Sequence, residues 1–145
     1  MLPKLDDLIQ YQHQPVIASY RRNYPEQADR AEDLFQSMLK YLWVSQKHGD
    51  ERRRSPDDPA LDFVLVMHEE MRAIDNMWHN FILYTQDYTE FCHSYFGEYL
   101  HHQPDMALIQ THPQSEFAVL MEKYLLYLFE NLGEETVTHW FGEHL

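Results

Sequence analysis

The chain has 145 residues and a formal net charge of −13, with 11 Lys and Arg against 24 Asp and Glu. This excess of acid argues against nucleic-acid binding and against an anionic membrane surface, because both need clustered Lys and Arg. One cysteine cannot form an internal disulfide, and no apolar run is long enough to predict a membrane span. With 44% hydrophobic residues, the chain predicts one packed domain over residues 1–145 in a reducing, cytoplasmic compartment.

The charge is unevenly distributed along the chain. Residues 1–58 carry 9 basic and 10 acidic side chains, whereas residues 59–145 carry 2 basic and 14 acidic ones. The second segment also contains 8 of the 10 histidines. Nearby carboxylates favour the imidazolium form, so we expect the pKa of these histidines to be raised. An acidic surface of this kind predicts a basic protein partner.

Apolar spacing in the first part of the chain predicts helices. Short helices are predicted over residues 2–9 and 16–24, and a three-four apolar repeat predicts a long helix over residues 26–47. Residues 49–60 lack this periodicity and predict an exposed, mobile loop. Within that loop, Arg52–Arg54 are interpreted as solvated and balanced by neighbouring acids.

The central part of the chain predicts a helical hairpin. A long helix over residues 60–84, broken near its start, fits the apolar pattern, with a short strand at Phe63–Val66 as the alternative. A second helix is predicted over residues 86–96. Thr85 is the expected N-terminal cap of that helix, and Gly97 is its expected end.

The last part of the chain continues the helical pattern after a break. Residues 98–112 predict a loop, and Pro113 opens a helix that ends near Gly133. A last short helix is predicted over residues 135–141. The predicted fold is therefore all-α, a single compact domain of five to seven helices with a central helical hairpin.

One face of the first hairpin helix carries candidate metal ligands. Asp75 and His79 are four residues apart and therefore share a face, flanked by Trp78 and continued by Ile82. If the helix runs unbroken back to His68, that histidine lies seven residues earlier on the same face. Carboxylate and imidazole ligands at this spacing suit a divalent metal such as zinc or iron.

Three further residues complete the candidate ligand set. Cys92, four residues after Tyr88, is a candidate thiolate ligand, and His101 and His102 lie in a segment that can reach a helix-bound ion. Other interpretations stay open. The Asp–His pair fits a hydrogen-bonded structural pair or an acid–base pair without metal, and a cysteine among aromatic residues fits an inert core thiol.

Several residues between Asp75 and Pro104 follow an order like that of a known family motif, although Asp75 stands three residues before Trp78 and the motif has its Asp two residues before the Trp-His pair. These are Asp75-Asn-Met-Trp78-His79-Asn-Phe-Ile82, Tyr88, Cys92, Gly97 and His101-His102-Gln-Pro104. The run, within residues 69–104, resembles the glycine-rich domain-containing protein-like family, known from plant proteins with a glycine-rich tail. The resemblance implies that these residues form one local structure, and it implies no settled activity. The chain departs from the family in lacking the glycine-rich tail, and Phe81 stands where many plant members have a second histidine.

The sequence therefore predicts a small acidic helical protein of undetermined molecular activity. The leading hypothesis is a structural or regulatory interaction module. The alternative is a metal-binding protein, or a metalloenzyme, with an Asp/His cluster around Asp75 and His79. No complete catalytic motif decides whether the chain is an enzyme.

Overall fold

A computed structural model describes residues 2–65, 67–102 and 114–142, with side chains described from residue 116 in the last range. The helices are α1 (Leu5–Leu8), α2 (Gln14–Asn23), α3 (Ala31–Arg54), α4 (Arg72–Ile82), α5 (Thr85–Phe96), α6 (Gln114–Leu132) and α7 (Glu134–Phe141). Three 3-10 turns cover Pro25–Arg30, Pro59–Leu61 and Glu69–Met71. No strand occurs in the described residues, so the all-α class and the helix number are confirmed. The predicted loop over residues 98–112 lies outside the described residues from residue 103 onward, and so does the predicted helix start at Pro113.

The chain divides into two compact units. The first comprises Met1–Trp43 and Met71–His101, and the second comprises Val44–Glu70 and His102–Leu145. Helix α3 therefore contributes residues to both units. None of the helices within the described ranges has the length and apolar character needed to cross a membrane.

The core of the first unit is built on aromatic side chains. The Phe81 ring lies 5.1 Å from Tyr88, 5.3 Å from Phe91 and 5.7 Å from Phe35, between ring centroids. Tyr11 closes the cluster, with its ring 4.7 Å from Phe91. Burying each of these side chains contributes about 2–3 kcal/mol, so the cluster fixes α4 and α5 against the N-terminal helices.

A buried amide joins α2 to α4 in the same unit. The Asn80 Nδ2 donates a hydrogen bond to the Val16 carbonyl at 3.2 Å, and its Oδ1 accepts one from Asn23 at 3.3 Å. An unpaired buried amide would cost about 1–3 kcal/mol, so these bonds specify how α4 packs on α2.

The core of the second unit is also aromatic. His48 on α3 stacks on Phe63, with ring centroids 4.2 Å apart, and its Nε2 lies 3.0 Å from the Leu61 carbonyl oxygen. The Tyr127 hydroxyl of α6 donates a 2.6 Å hydrogen bond to Glu51 on α3. Helix α3 and helix α6 are therefore joined by both ring contacts and a charge-assisted hydrogen bond.

Helix α3 is longer than the apolar pattern predicts. It continues to Arg54, so the prediction of a loop from residue 49 is wrong for its first six residues. The extension is stabilised by pairing of Lys47 with Glu51 at 3.1 Å and of Asp50 with Arg53. Arginines in the last turn also interact favourably with the helix dipole, and the helix ends two residues before Pro56.

The hairpin is confirmed, but its first helix is shorter than predicted. Helix α4 begins at Arg72 after a 3-10 turn, so the unbroken helix back to His68 is wrong. Thr85 is the first residue of α5 and not its cap, because the preceding residue, Tyr84, holds the cap position. Gly97 ends α5 as predicted, with φ +76° in the left-handed region that favours glycine.

Candidate metal centre

Helix α4 presents Asp75 and His79 on one face. The His79 Nε2 lies 3.8 Å from an Asp75 carboxylate oxygen. The His79 side chain is 53% exposed and that of Asp75 is 24% exposed. The distance is longer than that of a direct hydrogen bond.

A chain of buried hydrogen bonds fixes the segment that follows α5. The Trp78 Nε1–H donates to the Tyr88 hydroxyl at 2.9 Å, and the Tyr88 O–H donates to the Leu100 carbonyl at 2.5 Å. All three residues are buried. Leu100 is thereby held against the hairpin, and the two histidines that follow it start from a fixed point.

Cys92 lies in the same buried layer, outside the group of converging ligand atoms. Its side chain is fully buried, and burial raises the pKa of the thiol, with hydrogen bonds to the Leu100 backbone and Tyr88 only partly offsetting the rise. Its sulfur is not one of the three ligand atoms that converge near Asp75. Cys92 therefore fits the open alternative of a core thiol.

His102 completes a group of three ligand atoms with the pair on α4. One atom each from Asp75, His79 and His102 lie within 4.8 Å of one another. Ligand bonds of about 2.1 Å in tetrahedral geometry place ligand atoms about 3.4 Å apart. Closing the group around an ion therefore requires side-chain movements of about 1 Å, which the half-exposed His79 can make.

The structure places the other two histidine candidates elsewhere. His101 is exposed, and its ring centroid lies 4.7 Å from that of Tyr99, outside the three-residue group. His68 is buried beside three aromatic rings, the nearest being Tyr124 at 4.7 Å between ring centroids. Burial lowers the pKa of His68, although Glu70 opposes this shift. The expectation of raised histidine pKa values is therefore wrong at His68, because desolvation outweighs the acidic surroundings.

Comparison with known proteins gives one match. A family model described as UCP032817-like matches residues 62–127, just under half of the chain. No curated protein and no solved structure matches the chain. The matched range contains α4, α5 and all three residues of the candidate metal centre.

The resemblance to the glycine-rich domain-containing protein-like family is wrong, because the matching family model is a different one. The residues that suggested it have general structural roles in this fold. Trp78 and Tyr88 share a buried hydrogen bond, and Gly97 is a left-handed helix end. Ile82 is the last residue of α4. Any aromatic helical hairpin can require such residues at such spacing, so the motif alone does not identify a family.

Sequence reasoning missed the residue that anchors His102. Leu100 takes part through its backbone carbonyl, and a carbonyl leaves no signature in the side-chain pattern. The available signal was the Tyr88 position, one helical turn before Cys92 on the buried face of α5. A buried tyrosine needs a partner for its hydroxyl, and a nearby loop carbonyl is a common solution.

Proposed function

We propose that the chain binds a divalent transition-metal ion, zinc or iron(II), through Asp75, His79 and His102. The observation that carries the proposal is the convergence of three ligand atoms within 4.8 Å. Two imidazoles and one carboxylate form a donor set that both metals accept. The buried chain from Trp78 to Leu100 supports the proposal, since it orders the segment that carries the third ligand.

The chemistry of the donor set favours an open site. Structural zinc sites have four protein ligands, whereas catalytic zinc sites have three and keep a position for water. The half-exposed His79 gives solvent access to the remaining coordination positions. A bound ion would supply Lewis acidity there, and the three side chains would hold it in place.

The test is zinc titration of untagged protein that has been stripped with a chelator. We expect one zinc ion per chain, and a rise of about 2.7 kcal/mol in the free energy of unfolding at 100 times the Kd. His79→Ala and His102→Ala should each abolish this stabilisation. Iron(II) titrated anaerobically should compete for the same site.

Two other histidines provide matched controls. His101 is adjacent to His102 but outside the group, and His93 is exposed on α5. His101→Ala and His93→Ala should bind zinc like the wild type. If His102→Ala binds as tightly as the wild type, or if wild-type protein takes up no ion, the proposal is wrong and the Asp–His pair has another role.

A second candidate function is the interaction module with a basic partner. On α6 the side chains of Val119, Leu126 and Phe129 are exposed, and the exposed Glu122 lies on the same helical face as Val119 and Leu126. A face with exposed apolar side chains and one acidic side chain suits an amphipathic basic helix.

A synthetic amphipathic peptide of Leu and Lys tests this candidate. Binding should weaken as salt is raised, since exposed charge pairs are screened. Leu126→Ser should reduce binding, and Leu83→Ser, at another exposed leucine, should not. Binding that is unaffected by salt and by Leu126→Ser would contradict the proposal.

A further inference from the structure

The second unit has a solvent-open cavity of about 630 Å³ at its surface. This volume is in the range that accommodates a small organic ligand. The cavity is lined by Ser45, His48, Gly49, Arg52, Arg53, Pro56, Val64 and Leu65. None of these residues belongs to the candidate metal centre, and the cavity therefore calls for an explanation of its own.

The cavity has a basic wall and an apolar wall. Its charged lining residues are Arg52 and Arg53, on the last turns of α3. The apolar wall consists of Pro56, Val64 and Leu65. The Val64 side chain is exposed to solvent. Each arginine is paired with an exposed or half-exposed aspartate, Arg52 with Asp62 and Arg53 with Asp50, which an anionic ligand can displace. The combination matches a ligand that carries an anionic group on an apolar body.

The two arginines differ in how firmly they are held. Arg52 donates hydrogen bonds to the Phe63 carbonyl at 3.1 Å and to the Asp62 carboxylate at 3.3 Å. The Asp62 side chain is 72% exposed, so its ion pair with Arg52 is weak and open to competition. Arg53 pairs with Asp50 one turn earlier and is itself 69% exposed. Arg52 is therefore a fixed donor, and Arg53 is a movable one.

A glycine inside α3 keeps part of the wall open. Gly49 lines the cavity in the interior of the helix, where glycine costs about 1 kcal/mol relative to alanine. A Cβ at this position would meet only the Arg53 Nη1, at an ordinary contact distance of 3.6 Å. The fold therefore accepts a side chain at position 49. A larger side chain there would fill part of the cavity.

We propose that this cavity binds a small organic carboxylate with an apolar body. The carboxylate is bound by the Arg52 and Arg53 guanidinium groups, which can each offer paired N–H donors. The body of the ligand packs on Val64, Leu65 and Pro56. The site assignment is independent of the metal proposal, because the two share no residue.

Octanoate is a suitable probe, titrated calorimetrically and by thermal melting. We expect saturable binding of one octanoate per chain. The association constant should be at least tenfold lower for Arg53→Gln, because this variant lacks a charged donor. Arg54→Gln is the matched control, since Arg54 is the next residue of the same helix and does not line the cavity. Gly49→Leu should reduce octanoate binding by a similar factor while the protein remains folded.

Two further probes separate the contribution of the anionic group to binding from that of the apolar body. Octanol lacks the anionic group, and inorganic phosphate lacks the apolar body, so both should bind at least tenfold more weakly than octanoate. Equal binding of octanol and octanoate would overturn the role of the arginines. Unchanged octanoate binding by both Arg53→Gln and Gly49→Leu would overturn the site.

Discussion

The Tyr88 hydroxyl joins two helices and the segment that follows them. It accepts from Trp78 on α4, and it donates to the Leu100 carbonyl beyond α5. Both partners are buried, so neither can exchange its lost bond for one to bulk water. Removing this one oxygen atom would remove both buried hydrogen bonds at once.

Tyr88→Phe is therefore expected to lower the free energy of unfolding by about 1–3 kcal/mol, through the loss of two buried hydrogen bonds. The measurement is urea denaturation followed by circular dichroism. Tyr99→Phe is the control, because Tyr99 packs its ring 5.3 Å from Tyr88 while its hydroxyl is not part of the chain. Equal losses for the two variants would contradict this role of the hydroxyl.

His68 and His48 make stability depend on pH. Burial lowers the pKa of both imidazoles in the folded protein below 6.5, the ordinary value. The unfolded chain therefore binds protons first as the pH falls, and the free energy of unfolding decreases below about pH 6.5. Above that pH the contribution of both residues is fully present.

His68→Phe should make this pH dependence shallower, because a phenyl ring fits among aromatic neighbours and does not titrate. Urea midpoints at about pH 7.5 and about pH 6 provide the measurement. The exposed His93→Phe variant should keep the dependence of the wild type. If the urea midpoint of His68→Phe changes with pH as much as that of the wild type, His68 is not the source of the pH dependence.

At the scale of elements, periodic segments were predictable and irregular ones were not. The α4–α5 hairpin and the Gly97 end follow from apolar spacing and a glycine at a helix end. The extension of α3 past Gly49 was missed because it rests on ion pairs, and charged residues show no apolar repeat. A break near the start of the 60–84 helix was predicted, but its position before Arg72 was not, and the His68 ligand hypothesis required a helix unbroken back to that residue.

Gly97→Ala tests the left-handed end of α5. No atom lies within 4 Å of the added Cβ, so the cost is backbone strain alone, about 1 kcal/mol. The measurement is a thermal or urea unfolding curve. Gly142→Ala is the control, since Gly142 has φ −52° and needs no glycine. A Gly97→Ala protein as stable as the wild type would mean that α5 ends differently.

At the scale of the whole molecule, the charge count argued against nucleic-acid and membrane partners but pointed to no particular site. Asp75 and His79 were identifiable because they share a helix face, and His102 was one of two adjacent candidates. The choice of His102 over His101 as the third ligand depended on where the Tyr88 hydrogen bond holds Leu100. That is a tertiary contact, and the sequence does not show it. The cavity beside Arg52 and Arg53 was hidden for a similar reason, because those arginines were assigned to a solvated loop.

The net charge also predicts how the protein behaves in mild acid. The sequence pI is about 5.0, and protonation of carboxylates and exposed histidines removes the repulsion between chains as that pH is approached. We expect association near pH 5, measured by light scattering during a pH titration and reversed at neutral pH. Scattering that stays flat through this range would contradict the expectation.

The full burial of Cys92 makes its thiol a probe of local opening of the structure. It is the only cysteine in the chain, and it is inaccessible while α4, α5 and the Leu100 segment stay together. A thiol reagent can react only when this region opens, so the rate of labelling measures local opening and not the chemistry of the thiol. The same burial protects the sulfur from oxidation for as long as the hairpin remains closed.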